Sequence, residues 1–229
     1  MTEAFHDKQF PNETTEYRER RNALLQSEMD LRQRIEEVAA LRRSLPLGGA
    51  PPEDYAFEEE IADKTVTQVH LSGLFAPGKD TLLLYSFMYP PDAEAPCPAC
   101  TALIDGLDGT APHLMDRVNF AAVARASIQK FRAWADSRGW RNIRLLSSAR
   151  NTYNRDYFAE TDLASQLPVM NVFVKSTDAT IRHFYATELL YTPSEGHPRH
   201  ADLFWPLWNL LDITPGGRGT DWLPKYSYD

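Results

Sequence analysis

At 229 residues, 43% of them hydrophobic and 11% aromatic, the chain is long enough to bury a substantial core as one large or two small domains. Its 32 acidic side chains outnumber 24 basic ones for a net charge of -8, which excludes a general nucleic-acid binder, because phosphate neutralisation needs a basic surface. The stretch from Met1 to Lys8 has no apolar signal core and no later run reaches membrane-spanning length, so a cytoplasmic protein without a membrane anchor is expected.

From Thr14 to Leu45 the pattern is helical and strongly charged, and Pro46, Gly48, Gly49, Pro51 and Pro52 end it abruptly. Tyr17, Leu24, Leu31, Val38 and Leu45 recur every seven residues, while the companion positions Arg21, Glu28, Ile35 and Arg42 are mostly charged. One apolar row marks either a helix laid across its own domain or a dimerisation arm, since periodicity tells which face is buried and not against what. The expected division is residues 1–54 as helical extension and linker, and 55–229 as the main domain.

Thr65 to Leu71 alternates as a half-buried strand, and Thr81 to Met88 is an apolar run of strand length. Between them, Gly73 to Asp80 is a near miss to a phosphate-binding loop, defeated by Asp80 where a hydroxyl belongs and by the strand that follows. A helix from Cys97 onward is expected to be interrupted at Gly106 and Gly109. Val118 to Ala124 reads as a strand, Ser127 to Trp140 as a helix capped by Ser127 and broken at Gly139, and Ile143 to Ser147 as a short strand. Beyond Pro168, Val169–Val174 and Thr180–Tyr185 form a hairpin, and Ala201–Leu211 forms a last helix. This order predicts an α/β fold with a mixed sheet covered on both faces.

The only two cysteines of the chain stand in Cys97-Pro98-Ala99-Cys100, at a strand-to-helix junction. A thiol at a helix N-terminus meets the positive end of the macrodipole and unsatisfied N–H groups, which favour the thiolate. Cys97 is thereby the expected nucleophile and Cys100, one turn in, the resolving thiol. In a reducing compartment so short a pair is redox-active rather than a structural staple. The rival readings are two inert buried cysteines and half of a zinc site completed by His197 and His200, whose spacing is shorter than zinc pairs ordinarily show. Arg125, directly after the third strand, stands at the sheet end that carries the cysteines and is a candidate for lowering the pKa of Cys97. Asp92 and Glu94 are the candidate proton acceptors for Cys100.

This succession, with the cysteine pair at a strand-to-helix junction, resembles the thioredoxin fold with a peroxiredoxin-type insertion between its halves. Leu167-Pro168-Val169 resembles the cis-proline loop of that fold, which implies that Pro168 faces the cysteines and offers backbone groups to a substrate. Peroxiredoxins carry a threonine three residues before their reactive cysteine; here that position is Glu94, whose charge opposes thiolate and hydroperoxide alike. The chain also resembles, nearly end to end, a bacterial thioredoxin-like family of unknown function whose members are described as predicted dithiol-disulfide oxidoreductases. Glu16-Tyr17-Arg18, Pro52-Glu53-Asp54-Tyr55, Leu82 to Met88, the cysteine pair, Val123-Ala124-Arg125-Ala126, Gly139-Trp140 and Leu211 to Pro215 with Asp221-Trp222 carry that likeness. It departs after the second cysteine, where Thr101-Ala102-Leu103 replaces expected aromatics.

The expected activity is thiol-disulfide exchange with Cys97, Cys100, Pro168 and Arg125 at the site, no cofactor and no metal, and protein or small-molecule disulfides as substrates. A redox-responsive interaction module without turnover and a zinc-stabilised binding domain are the alternatives.

Overall fold

The computed structural model describes residues 5–161, 165–193 and 199–228. The chain forms two compact units, residues 1–46 and 47–229.

The first unit is essentially one helix, α1 (Thr15–Arg43). The Thr14 hydroxyl accepts from the Tyr17 N–H at 3.1 Å, satisfying one orphan donor of the first turn. Arg42 and Arg43 close the other end, where cations suit the macrodipole. Leu24, Leu31 and Ile35 on this helix are more than half exposed.

The second unit is built on a seven-stranded sheet in the order β2-β1-β5-β4-β3-β6-β7. Its elements are β1 (Ala56–Glu60), β2 (Val66–His70), β3 (Thr81–Ser86), α2 (Pro98–Arg117), β4 (Asn119–Ala124), α3 (Ile128–Arg138), β5 (Arg144–Ser147), the single turn α4 (Tyr153–Asp156), β6 (Met170–Lys175), β7 (Ile181–Ala186) and α5 (Leu207–Asp212). β3, β4 and β5 run parallel, with α2 and α3 as the crossovers that parallel neighbours require. β6 pairs antiparallel to β3, with Tyr85 opposite Met170, and β7 pairs antiparallel to β6. Three parallel strands, an antiparallel hairpin beside them and helices packed on the sheet make a thioredoxin-like fold of peroxiredoxin-type topology.

The alternation of β3 divides the core. Tyr85 and Phe87 join Cys100, Ile104, Phe131 and Trp140 on the face covered by α2 and α3; Leu82 and Leu84 join Tyr55, Phe57, Tyr153 and Phe173 on the other. Both sides of β3 are buried, which is why its sequence reads as a continuous apolar run.

Three elements differ from expectation. β1 is hidden in the sequence by Glu58-Glu59-Glu60, yet Phe57 is fully buried. Glu59 is held by Arg144 of β5 through two bonds of 2.6 Å, and Glu58 lies 3.2 Å from Arg150. The helix α2 runs unbroken through Gly106 and Gly109, because burial of Cys100, Leu103, Ile104 and Ala111 outweighs a propensity cost of about 1 kcal/mol per glycine. The expected helix over residues 201–211 is divided into a 3₁₀ turn at Arg199–Ala201 and α5, since Pro206 stands at the N-cap of α5 and disfavours helical backbone before it.

The glycine-rich segment that follows the first unit is an added backbone partner for β7. The Gly48 N–H donates to the His183 carbonyl at 2.8 Å, and the His183 N–H donates to the Gly49 carbonyl at 2.9 Å. A Cβ on Gly48 would lie 2.9 Å from the His183 oxygen, so the approach needs glycine. No helix among the described residues is long and apolar enough to cross a membrane.

Candidate functional site: the cysteine pair at the start of α2

Cys97 is the N-cap of α2, with extended backbone (φ -61°, ψ 128°), and its N–H donates to the Met88 carbonyl at 2.9 Å. Pro98 occupies the first turn, where a missing N–H costs nothing. The Cys97 sulfur takes the place that a serine or aspartate oxygen has in most caps, accepting from the Cys100 N–H at 3.4 Å. The Thr101 hydroxyl donates to the Cys97 carbonyl at 3.0 Å and fixes the turn from the other side.

The two sulfurs are unlike. Cys97 is half-buried and Cys100 is buried, and both are free thiols. A hydrogen bond from the Cys100 thiol, supported by the backbone N–H groups of Cys100 and Ala99 and opposed by burial, lowers Cys97 to about 6. Burial first, and then the neighbouring Cys97, push Cys100 well above the usual thiol range. At neutral pH the pair is therefore a thiolate at the helix mouth backed by a thiol beneath it.

Arg125 is not part of this electrostatic arrangement. Its guanidinium lies 3.2 Å from a Glu160 carboxylate oxygen and donates to the carbonyls of Ser148 at 2.5 Å and Asn151 at 3.3 Å. The role expected for it falls to the thiol and N–H groups of the first turn.

The peptide bond before Pro168 is trans, as is every peptide bond among the described residues, which corrects the expected cis-proline loop. The Val169 N–H reaches back to the Leu167 carbonyl at 3.1 Å, a three-residue turn centred on Pro168. Such a turn needs φ near the value that the proline ring imposes, so the trans form meets the constraint without isomerisation. The Val169 carbonyl accepts from the Ser86 N–H at 2.8 Å. Both backbone groups of Val169 are thus spent inside the protein and do not offer a substrate an open strand edge. Register still places Pro168 two residues before Met170, the partner of Tyr85.

Asp92 and Glu94 are exposed on the loop between β3 and Cys97, apart from the buried Cys100. That loop is pinned by Lys130 of α3, whose ammonium donates to the Pro91 carbonyl at 3.0 Å and to that of Ala93. Among the described residues no group of three or more His, Cys, Asp and Glu side chains is placed to hold a metal ion, and His197 of the weighed zinc set lies outside those residues.

Two tyrosines that sequence reasoning passed over stand at the pair. The Tyr85 hydroxyl, buried beneath α2, donates to the Cys100 sulfur at 3.3 Å. The Tyr226 hydroxyl donates to the Pro96 carbonyl, immediately before Cys97, while Trp134 meets its ring edge-on at 5.2 Å and Arg138 holds its carbonyl at 2.6 Å. Tyr226 also borders an apolar groove of about 480 Å³ between Ala102 and Gly106 of α2 and Phe204, Leu210 and Trp222. The alternation of β3 was the available signal for Tyr85, since it sets that residue on the same face as Phe87. Tyr226 lies far along the chain in a segment without periodicity and had none.

Comparison with solved structures finds chains similar to this one over much of its length. Reduced 2-Cys peroxiredoxin of Plasmodium vivax is 22% identical, over 61% of this chain and 83% of that one, with a TM-score of 0.45. Thioredoxin peroxidase I of Plasmodium yoelii is 21% identical, over 79% of this chain and 100% of that one, with a TM-score of 0.46. Peroxiredoxin Q of Xanthomonas campestris is 16% identical, over 61% and 84%, with a TM-score of 0.43. Comparison with curated proteins gives no match. A family model matches residues 7–228, and the chain belongs to that family, the bacterial proteins of unknown function designated DUF899.

Proposed function

We propose that this protein is a thiol-disulfide oxidoreductase in which Cys97 attacks and Cys100 resolves. The observation that carries this reading is the inequality of the two thiols: a half-buried sulfur held near 6 at a helix N-cap, above a buried sulfur that keeps its proton. The Cys97 thiolate displaces one sulfur of a substrate disulfide, forming a mixed disulfide and releasing one substrate thiolate. Cys100 then gives up its proton and attacks the Cys97 sulfur, closing the intramolecular disulfide and releasing the second substrate thiol. An external dithiol returns the pair to its reduced form, so each cycle moves two electrons from that dithiol to the substrate. Protein and small-molecule disulfides are the proposed substrates, and the apolar groove along α2 supports those with apolar flanks. Assembly as a homodimer through α1 belongs to the same reading and is supported by its exposed Leu24, Leu31 and Ile35; a scattering mass of one chain at micromolar concentration removes it.

Alkylation under pseudo-first-order conditions is the direct test. Cys97 is expected to react at least tenfold faster than Cys100 at neutral pH, and Cys100→Ser is expected to accumulate a mixed disulfide with its substrate. Equal alkylation rates, or an absence of adducts in Cys100→Ser alongside no turnover of any disulfide by the parent, would leave a redox-responsive interaction module as the better reading.

A further inference from the structure

Resolution poses a specific difficulty at this site. Cys100 is 2% exposed, and burial opposes the thiolate that must form there for the second attack. While the mixed disulfide stands, Cys97 is neutral and no longer receives the Cys100 proton as a thiolate would. Asp92 and Glu94 are out on the solvent loop. The group beside the Cys100 sulfur is the hydroxyl of Tyr85, 1% exposed, donating at 3.3 Å.

The geometry around this hydroxyl is fixed from several sides. Tyr85 sits in the middle of the sheet, paired with Ala122 of β4 and Met170 of β6, so its backbone has no freedom to withdraw. Phe204 meets its ring edge-on at 6.3 Å. The hydroxyl has taken up its hydrogen bond with sulfur as the acceptor, although sulfur is ordinarily a weak one. A buried tyrosine whose polar tip is committed to a thiol gains most when that thiol becomes charged, because hydrogen bonds to ions are about twice as strong as neutral ones.

We propose that the Tyr85 hydroxyl is a positioning group for the resolving step: it aims the Cys100 sulfur and stabilises the negative charge that develops on it as it attacks Cys97. The inference deepens the thiol-disulfide reading and rests on it. Tyr85 donates a hydrogen bond and keeps its proton, in line with a phenol pushed well above its ordinary range by burial and by the adjacent sulfurs. The Cys100 proton leaves with the departing substrate thiolate, so that the thiol and the mixed disulfide become the Cys97–Cys100 disulfide and a free substrate thiol. The Met88 backbone is a second, weaker contributor to the charge on Cys100. The titratable groups facing Cys100 are Tyr85 from β3, Cys97 from its own helix cap and Tyr226 from the C-terminal segment.

Tyr85→Phe removes the hydroxyl and retains the ring that packs the core. Reduced protein mixed with excess dithiodipyridine releases one chromogenic thione when Cys97 attacks and a second when Cys100 resolves. In the variant the effect is expected on the second release, slowed about tenfold to a hundredfold, with its pH midpoint displaced upward. A second release at the parent's rate and pH midpoint overturns the inference, as does equal slowing of both releases, which marks loosened packing. A companion measurement needs no exchange at all: Cys97→Ser and Cys97→Ser/Tyr85→Phe are titrated by thiolate absorbance, and the Cys100 midpoint is expected to lie higher in the double variant. Identical midpoints overturn the role of Tyr85 whatever the fate of the oxidoreductase reading, while a parent protein whose Cys97 releases no thione defeats that reading alone.

Discussion

Cys97 is the N-cap of α2, and in the proposed function it is the nucleophile as well. Because its sulfur accepts from the Cys100 N–H, the charge that makes it reactive also completes the first turn of α2. The rate of its alkylation is therefore expected to rise with pH through a midpoint near 6 and then level off. In Cys100→Ala, which removes the largest single cause of that acidity, the midpoint is expected to move toward the ordinary thiol range. An unchanged midpoint in Cys100→Ala would show that the helix alone sets the acidity. Cys97 and Cys100 were legible in the sequence because spacing and a strand-to-helix junction are local properties. Arg125 and Pro168 were not, for a common reason. Glu160 takes the guanidinium of one and a tight turn takes the backbone around the other, and both partners are decided by loops without periodicity.

At the scale of elements, α2 shows how a sequence that reads as broken builds one continuous helix. Pro112 supplies no N–H to the Asp108 carbonyl four residues earlier, and the Asn142 side-chain amide donates to that carbonyl at 3.0 Å instead. The Asp108 carboxylate in turn receives the N–H groups of Arg141, Asn142 and Ile143, at 2.9 to 3.2 Å, so the turn into β5 is organised by the helix that contains the proline. Asp108→Ala leaves the buried Ile143 N–H without its acceptor and is expected to cost about 1–3 kcal/mol in urea unfolding without altering the alkylation rate of Cys97. Gly109 is the converse case: it is exposed, its φ is negative and a Cβ there meets nothing within 4 Å. Gly109→Ala is expected to stabilise the protein by roughly 0.5–1 kcal/mol, and a lower unfolding midpoint would contradict this account of the helix. Apolar periodicity and glycine content announce α2, whereas the compensation of Pro112 depends on a residue thirty positions away and has no local signature. The same separation hid β1, whose Glu59 and Glu58 are paired with Arg144 and Arg150, some ninety positions along the chain.

At the scale of the whole molecule, the unequal thiols couple redox state to stability with a definite sign. Cys97 falls from 9.0 to about 6 on folding, so between those values the unfolded chain binds more protons at this residue than the folded one. The stabilisation from this group is fully present above the unfolded value and is lost as pH falls through about 6. Cys100 is raised and acts in the opposite sense, its contribution being lost as pH climbs above the ordinary thiol range. His183, which burial depresses, loses its contribution as pH falls below the ordinary histidine value, so the interval above that value reports the thiols. The urea midpoint of the reduced protein is expected to climb from pH 6.5 to about 9, while Cys97→Ser climbs less and the oxidised protein, with neither thiol free, lacks the thiol contribution altogether. Because folding leaves Cys97 ionised across this interval, reduction of the disulfide there takes up one proton rather than the two of an ordinary dithiol, so its potential is expected to fall with pH about half as steeply. A Cys97→Ser profile that parallels the reduced parent across this interval would place the origin of the pH dependence elsewhere in the molecule and remove the link between the helix cap and the redox pair.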